Sequence, residues 1–256
     1  MLSGRERCVW VRAGSGVETL SGLGPATWNE PAVVRNALRE MLSVLPVTHV
    51  QLDLAQLLGR TDPPSTWSSL LVRSGDWAGL LGETAAATAD AVRGIADWGI
   101  GLPSPSVVAQ TLGDASERGI LKAGLQLASF LQGFREANVH FVAVELTAAA
   151  VPDKVVAPIF RNAEMYGWRR AAVVDAVDQS VGGAEIRLVQ GGAYTEVYES
   201  WQRGELVGGG LDAAFWAGEA LPEPAPPRAL LFGEIPVGAD AAAIVAAGRR
   251  LTLWRG

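Results

Sequence analysis

The sequence predicts an α/β protein, a single (β/α)8 TIM barrel that fills residues 1–256 as one domain. Short apolar runs recur along the chain with helix-length segments between them, which is the order of a parallel sheet. Several runs are almost continuously apolar, as is typical of parallel strands covered on both faces. Eight candidate strands in 256 residues also match the usual size of this barrel. A doubly wound open sheet is the alternative fold.

The candidate strands share short length and apolar character. They are residues 8–12, 49–54, 69–73, 98–102, 141–146, 171–177, 229–234 and 251–254. Glycine pairs and triplets interrupt the region 178–227, where we expect irregular insertions. Within it, residues 185–190 and 206–214 are further candidate strands.

The helices predicted between these strands differ in the strength of their signal. The clearest is 117–137, where Ile120, Leu127 and Phe134 belong to one apolar stripe at helical spacing. Pro31 stands where a helix over 32–45 would begin, a position that suits proline. The remaining candidates are 82–96, 155–166 and 240–247.

Composition and charge exclude several classes of protein. A hydrophobic content of 49% excludes a disordered chain, and a net charge of −6 argues against a nucleic-acid partner. The single cysteine, Cys8, excludes an internal disulfide and a zinc site built on several thiolates. We find no signal peptide, and the longest run of small apolar residues, 239–248, is too short to span a membrane. The sequence therefore predicts a cytoplasmic protein with no membrane partner, and it leaves a homodimer open.

Charged residues stand at or just after the ends of six candidate strands. They are Arg12, Asp53, Arg73, Glu145, Asp175, Asp178 and Glu234. In this fold the carboxyl ends of the strands form the active-site face. Two interpretations follow: each residue is simply the first solvated one after its strand, or together they line a polar pocket. In a pocket, Arg12 and Arg73 would hold an anionic small-molecule substrate, and Glu145, Asp53 and Asp175 would supply the acid or base.

The two histidines and the cysteine stand at the opposite ends of their strands. His49 and His140 lie at strand entrances, without a metal-like partner at nearby spacing, so we expect structural roles for both. Cys8 begins the first strand with no histidine near it, which favours a buried structural thiol.

Three blocks of sequence resemble the uroporphyrinogen decarboxylase and cobalamin-independent methionine synthase superfamily. They are the Gly-Leu-Pro-Ser-Pro segment opening 101–112, the helix-to-strand segment 131–146, and the Leu-Leu-Phe-Gly-Glu-Ile-Pro segment 230–236. The opening Trp-Val-Arg-Ala-Gly at 10–14 is similar to the segment in which that superfamily's decarboxylases bind substrate carboxylates through an arginine. The resemblance implies a (β/α)8 barrel, a carboxylate-binding Arg12, and Glu145 at or beside the superfamily's acidic pair. Ser104 and Glu234 lie in the first and third blocks and complete the predicted substrate-binding set.

The superfamily's methyltransferases use zinc held by cysteine thiolates, and this chain lacks the His-x-Cys pattern. We therefore expect a metal-independent enzyme without a cofactor, acting on a small carboxylated metabolite by decarboxylation or another lyase-type proton transfer. A methyltransferase with an altered metal site and a non-catalytic ligand-binding or accessory barrel are the two alternatives.

Overall fold

Eight parallel strands close into a barrel in which each strand pairs with the next and β8 pairs with β1. The computed structural model describes residues 7–54, 74–146, 151–222, 226 and 228–255. The strands are β1 Cys8–Arg12, β2 His49–Asp53, β3 Asp97–Leu102, β4 Phe141–Glu145, β5 Arg169–Val174, β6 Ile186–Val189, β7 Val207–Gly210 and β8 Leu230–Glu234. This closure confirms the predicted (β/α)8 barrel and excludes the open sheet.

Helices surround the barrel and connect successive strands, with the exception of β5 and β6. They are α1 Gly14–Ser21, α2 Pro31–Val44, α3 Ser74–Val92, α4 Pro105–Thr111, α5 Glu117–Phe130, α6 Asp153–Met165, α7 Tyr194–Gln202, α8 Ala213–Trp216 and α9 Ala241–Arg255. Two 3-10 segments, Gly24–Asn29 and Leu131–Phe134, accompany α1 and α5. Residues 175–185 join β5 to β6 by turns alone. Among the helices of the described ranges, none is both long and apolar enough to cross a membrane.

Side chains of each strand alternate between the barrel interior and the helical layer, because successive residues of a strand point to opposite faces. On β1, Val9 and Val11 pack outward against the helices, whereas Cys8 and Trp10 pack inside the barrel. The interior cluster is completed by apolar residues of β4, β5, β6 and β8, among them Phe141, Leu188 and Phe232. Each of these strands has two apolar residues that point inward. The next inward residue along the strand therefore lies at the mouth of the barrel.

One predicted strand is wrong. Residues 251–254 belong to α9, where Leu251 and Trp254 are buried and the two residues between them are exposed. With Ile244 and Ala247 they form a stripe at spacings of three and four, which is a helical period. The predicted strand 69–73 lies outside the described residues.

The glycine-rich region 178–227 is more regular than the expected insertion. It contributes β6, α7, β7 and α8, so the candidate strands at 185–190 and 206–214 are both present in shortened form. Three glycines occur in β7 because the barrel is crowded there: a Cβ on Gly208 would stand 2.8 Å from a Leu188 methyl and 2.9 Å from the Phe232 Cβ. Steric fit therefore outweighs the low strand propensity of glycine.

Candidate active site

Arg12 lies at the centre of a cluster of carboxylates at the mouth of the barrel. Its Nε and Nη2 atoms donate to one oxygen of Asp53 at 3.0 and 2.8 Å. Its Nη1 atom is 3.3 Å from a Glu234 oxygen and 3.9 Å from a Glu145 oxygen. The structure thus brings together four of the predicted site residues, on strands β1, β2, β4 and β8.

Strand register explains why these residues meet. β1 lies between β8 and β2, and Arg12 is aligned with Glu234 on one side and with Gln51 on the other. Asp53 follows Gln51 by two positions, so both side chains point to the same interior face. β1, β2, β4 and β8 are each five residues long and end in a charged residue, and the closed sheet places these terminal charges at one mouth.

Burial gives the cluster its electrostatic character. The Arg12 side chain is 11% exposed and that of Asp53 is 17% exposed, whereas Glu145 and Glu234 are 31% and 37% exposed. Burial by itself would lower the pKa of Arg12, but the carboxylates of Asp53, Glu234 and Glu145 outweigh it and raise that pKa above its ordinary value. The guanidinium therefore stays charged and fixed between its partners.

Glu145 differs from a solvated glutamate. Burial raises its pKa, and the neighbouring carboxylates of Asp53, Glu234 and Asp175 raise it further, although Arg12 acts in the opposite direction. Its distance of 3.9 Å from Arg12 is too long for a direct hydrogen bond. A half-buried carboxyl with a raised pKa, close to a fixed cation, has the character of a general acid or base.

A hydrogen-bonded chain in the barrel interior supports the cluster from below. The indole N–H of Trp10 donates to the Gln51 Oε1 atom at 3.1 Å, and the Gln51 Nε2 atom donates to the second Asp53 oxygen at 2.8 Å. On β3, a Cβ at Gly101 would overlap that same Asp53 oxygen, so glycine leaves room for the pair. Sequence reasoning missed Gln51 and Gly101. The period of two could have found Gln51, because it precedes a strand-end charge by two positions.

The remaining predicted site residues differ in their relation to this centre, and Asp175 lies close enough to influence Glu145 electrostatically. Asp175 directly follows β5 and is exposed, with its backbone N–H donating to the Gln179 side chain at 3.3 Å. Ser104 is buried just after β3, where its hydroxyl lies 2.7 Å from that of Ser106. Asp178 is exposed, and Arg73 lies outside the described residues.

A second group of titratable side chains lies at the opposite, amino-terminal face, beside a cavity of about 490 Å³. His49 is buried, stacks on Trp10 with ring centroids 5.2 Å apart, and has its Nδ1 atom 2.8 Å from the Thr48 hydroxyl. The Nε2 atoms of His49 and His140 stand 3.9 and 3.6 Å from the two oxygens of Asp97. Both histidines thus occupy the face where the sequence predicts structural roles.

The His140 ring is oriented by the backbone. Its Nδ1 atom accepts from the Trp98 N–H at 3.3 Å, so the neutral ring carries its proton on Nε2, toward Asp97. In that tautomer Nε2 is a donor and not a metal ligand. Across the described ranges as a whole, no three or more His, Cys, Asp or Glu side chains are grouped so as to hold a metal ion. Cys8, the single cysteine of the sequence, is buried near the same face.

Comparison with known proteins adds support for the fold. No family model and no curated protein sequence matches the chain. Among solved structures, an endo-beta-N-acetylglucosaminidase from Cordyceps militaris is 9% identical with a TM-score of 0.50, over 100% of this chain and 93% of that one. A zinc-bound amidohydrolase from Burkholderia ambifaria is 10% identical with a TM-score of 0.48 over 81% of this chain, which spans only 65% of that protein. At such identities the likeness extends to the fold alone, and the protein belongs to the structural class of TIM barrels.

Proposed function

We propose that this barrel is an enzyme that transfers a proton on a small carboxylated metabolite at the mouth formed by β1, β2, β4 and β8. The observation that carries the proposal is the state of Glu145, a half-buried carboxyl with a raised pKa beside a fixed guanidinium. General acids and bases work best when their pKa lies near the working pH, and burial is the usual way to raise that of a glutamate. The chemistry needs no metal ion or cofactor.

Decarboxylation is the reaction that we favour. The bond between the substrate's carboxylate carbon and its α-carbon breaks, CO2 leaves, and the bonding electron pair remains on the α-carbon. Protonated Glu145 then gives its proton to that carbon, and the resulting carboxylate takes a proton from solvent before the next turnover. A related lyase would use the same residue in reverse, as the base that removes a proton next to a carboxylate.

The Arg12 guanidinium would orient the substrate through one edge. Its Nε and Nη2 atoms are held by Asp53, whereas its Nη1 atom points toward Glu145 and Glu234, the two most exposed carboxylates of the cluster. A substrate carboxylate would approach Nη1, and a neutral, protonated Glu145 would reduce the repulsion that it meets there. Arg73, Ser104 and Asp175 stay in the proposal as residues that could complete the pocket.

The resemblance to the uroporphyrinogen decarboxylase and methionine synthase superfamily supports the same choice. Its three blocks include the end of β3 with α4, the whole of β4, and β8. Two of them contribute Glu145 and Glu234 to the cluster, and the opening segment contributes Arg12. A decarboxylase-like member of that superfamily remains our proposal for the family.

A non-catalytic ligand-binding barrel is the second candidate, and one observation favours it. Arg12 is paired with Asp53, Glu145 and Glu234. Mutual pairing of strand-end charges is what a purely structural cluster would also display. The partial exposure of Glu145 and Glu234 weighs toward a working site, because both carboxyls can meet a ligand.

Turnover by the Glu145→Gln variant separates the two candidates. The purified chain would be incubated in D2O with a panel of three- to six-carbon mono- and dicarboxylates, and CO2 loss and deuterium uptake would be followed by NMR. Glu40→Gln, on the exposed face of α2, is the matched control. We expect the wild type and Glu40→Gln to act on at least one acid, and Glu145→Gln to be slower by a factor of about 100 or more.

Two results would count against proton transfer by this residue. Wild-type turnover in Glu145→Gln would remove Glu145 from the mechanism. Calorimetric binding of a carboxylate without turnover by any variant would favour the ligand-binding barrel instead.

A further inference from the structure

The Gln51 side chain bridges the apolar interior of the barrel and the charged mouth. It is only 2% exposed and has a partner at each end of its amide, Trp10 below and Asp53 above. Neither contact belongs to the proton-transfer chemistry proposed for Glu145. Together the two contacts fix Gln51 and, through it, Asp53, the residue that holds Arg12.

The chemistry of its partners determines the orientation of the Gln51 amide. An indole N–H can only donate, so the Gln51 oxygen must face Trp10, and the amide nitrogen must then face Asp53. The nitrogen donates to Asp53 Oδ1, which leaves Oδ2 to accept both bonds from Arg12. Each Asp53 oxygen therefore has a separate task.

β3 packs against the same two side chains. A Cβ at Gly101 would overlap Asp53 Oδ1 and would stand 2.6 Å from the Gln51 Nε2 atom. The Gln51 and Asp53 side chains consequently lie directly against the β3 backbone, and little space is left for the Asp53 carboxylate to turn. Its plane is defined by Gln51 on one side and by Arg12 on the other.

We propose that Gln51 is a positioning residue, which fixes the Asp53 carboxylate so that Arg12 stays bound to Asp53 and does not close on Glu145. The gap of 3.9 Å between Arg12 Nη1 and Glu145 is the consequence of that arrangement. If Arg12 moved to hydrogen-bond distance, it would favour the ionised form of Glu145 and deprive the site of its proton. Gln51 thus acts through Asp53 and Arg12 and does not touch the reacting atoms. The link to catalysis rests on the function proposed above.

The Gln51→Met variant tests this role, because methionine nearly matches the volume of glutamine and removes both hydrogen bonds. The measured quantity is the pKa of Glu145, followed by carboxyl 13C NMR and assigned with Glu145→Gln. A cation that moves from 3.9 Å to about 2.9 Å, at an effective dielectric constant of about 20, lowers the pKa of a carboxyl by about one unit. We expect a fall of that size in Gln51→Met.

Gln126→Met is the matched control. Gln126 lies on α5, and its Oε1 atom is buried with no hydrogen-bond partner within the described ranges, so this variant loses an amide remote from the mouth. We expect the pKa of Glu145 to be unchanged in it. A second variant, Gln51→Glu, retains the acceptor for Trp10 and can share a proton with Asp53. When this new carboxyl is protonated, at acidic pH, the pKa of Glu145 should lie closer to the wild-type value than it does in Gln51→Met.

The proposal is overturned if folded Gln51→Met leaves the pKa of Glu145 unchanged, or if Gln126→Met shifts it equally. If Gln51→Met does not fold, Gln51→Glu provides the test. The proposal is also overturned if the pKa of Glu145 in that variant is the same whether the new carboxyl at position 51 is protonated or ionised. The titration needs no turnover. Failure of the proposed enzyme activity and failure of the Gln51 role are therefore separate results.

Discussion

The buried imidazole of His49 should make the stability of the barrel depend on pH between about 6.5 and 4. Burial lowers the pKa of His49 from 6.5 to about 4 in the folded chain; Arg169 and His140 act in the same direction, and Asp97 opposes them. In that interval the unfolded chain binds a proton at His49 and the folded chain does not. Stability is therefore complete above pH 6.5 and is lost as pH falls toward 4. A shift of this size corresponds to about 3 kcal/mol of unfolding free energy.

Replacement of the ring isolates this effect. His49→Phe retains an aromatic ring against Trp10 and loses the titrating group and its contact with Thr48. Urea unfolding, followed by tryptophan fluorescence from pH 7 to pH 4.5, gives the free energy of unfolding for each protein. We expect His49→Phe to be less stable at pH 7 by about 1 kcal/mol, because one buried hydrogen bond is lost. It should also lose much less stability than the wild type on acidification.

His140→Phe serves as the comparison, since it removes the second imidazole of the same face and leaves His49 in place. The wild-type pH dependence should persist in this variant. Equal losses of stability in the wild type and in His49→Phe between pH 6.5 and pH 4.5 would refute the reasoning.

Two glycine substitutions should affect stability and the site for steric reasons. Gly248→Ala should destabilise the barrel by about 2 kcal/mol or more in urea unfolding, because the new methyl would overlap the backbone oxygen of Val44. Gly133→Ala, which meets open space, should be within about 1 kcal/mol of the wild type, and equal effects of the two would contradict the packing. Gly101→Ala should displace Asp53 and cost about 1–3 kcal/mol, with a shifted Glu145 titration by 13C NMR. An unshifted titration would mean that the crowding at β3 has no influence on the mouth.

The sequence was a good guide to those strands that read as continuous apolar runs. β1, β2, β4 and β8 were each predicted within one residue of their observed bounds, because all their outward residues except Gly233 are large and apolar. β7 could be foreseen only as a candidate. Its Gly208 is required by the Leu188 and Phe232 side chains across the interior, which is a tertiary constraint with no local signal. The error at 251–254 has a different cause. A run of four residues is too short to distinguish the strand period of two from the helical period of 3.6 until its burial pattern is known.

The candidate site was predictable to the extent that it depends on strand ends. Each of the four strands ends in a charged residue, and the closed barrel brings these residues to one mouth. They are Arg12, Asp53, Glu145 and Glu234. The sequence could not predict which carboxylate pairs with which edge of the guanidinium, because the pairing depends on the register of β1 against β2 and β8. The roles assigned to these residues remain predictions.

The two interpretations of the strand-end charges apply to different residues. Asp175 fits the first solvated residue after a strand, because it is exposed directly after β5. Arg12 and Asp53 do not, since their side chains are 11% and 17% exposed and continue a polar column that begins inside the barrel. Trp10 joins the two parts of this column: its ring stacks on His49 toward one face, and its N–H donates to Gln51 toward the other.

Most buried polar groups in proteins have hydrogen-bond partners, because an unpaired buried donor or acceptor loses its hydration without compensation. In this barrel, the chain from Trp10 through Gln51 to Asp53 holds Arg12 in a fixed position. A charged residue that was merely the first solvated residue after its strand would not need this interior support. The cost of placing an indole, an amide and a carboxylate along β1 and β2 is most simply explained by a mouth whose charges must stay in one geometry.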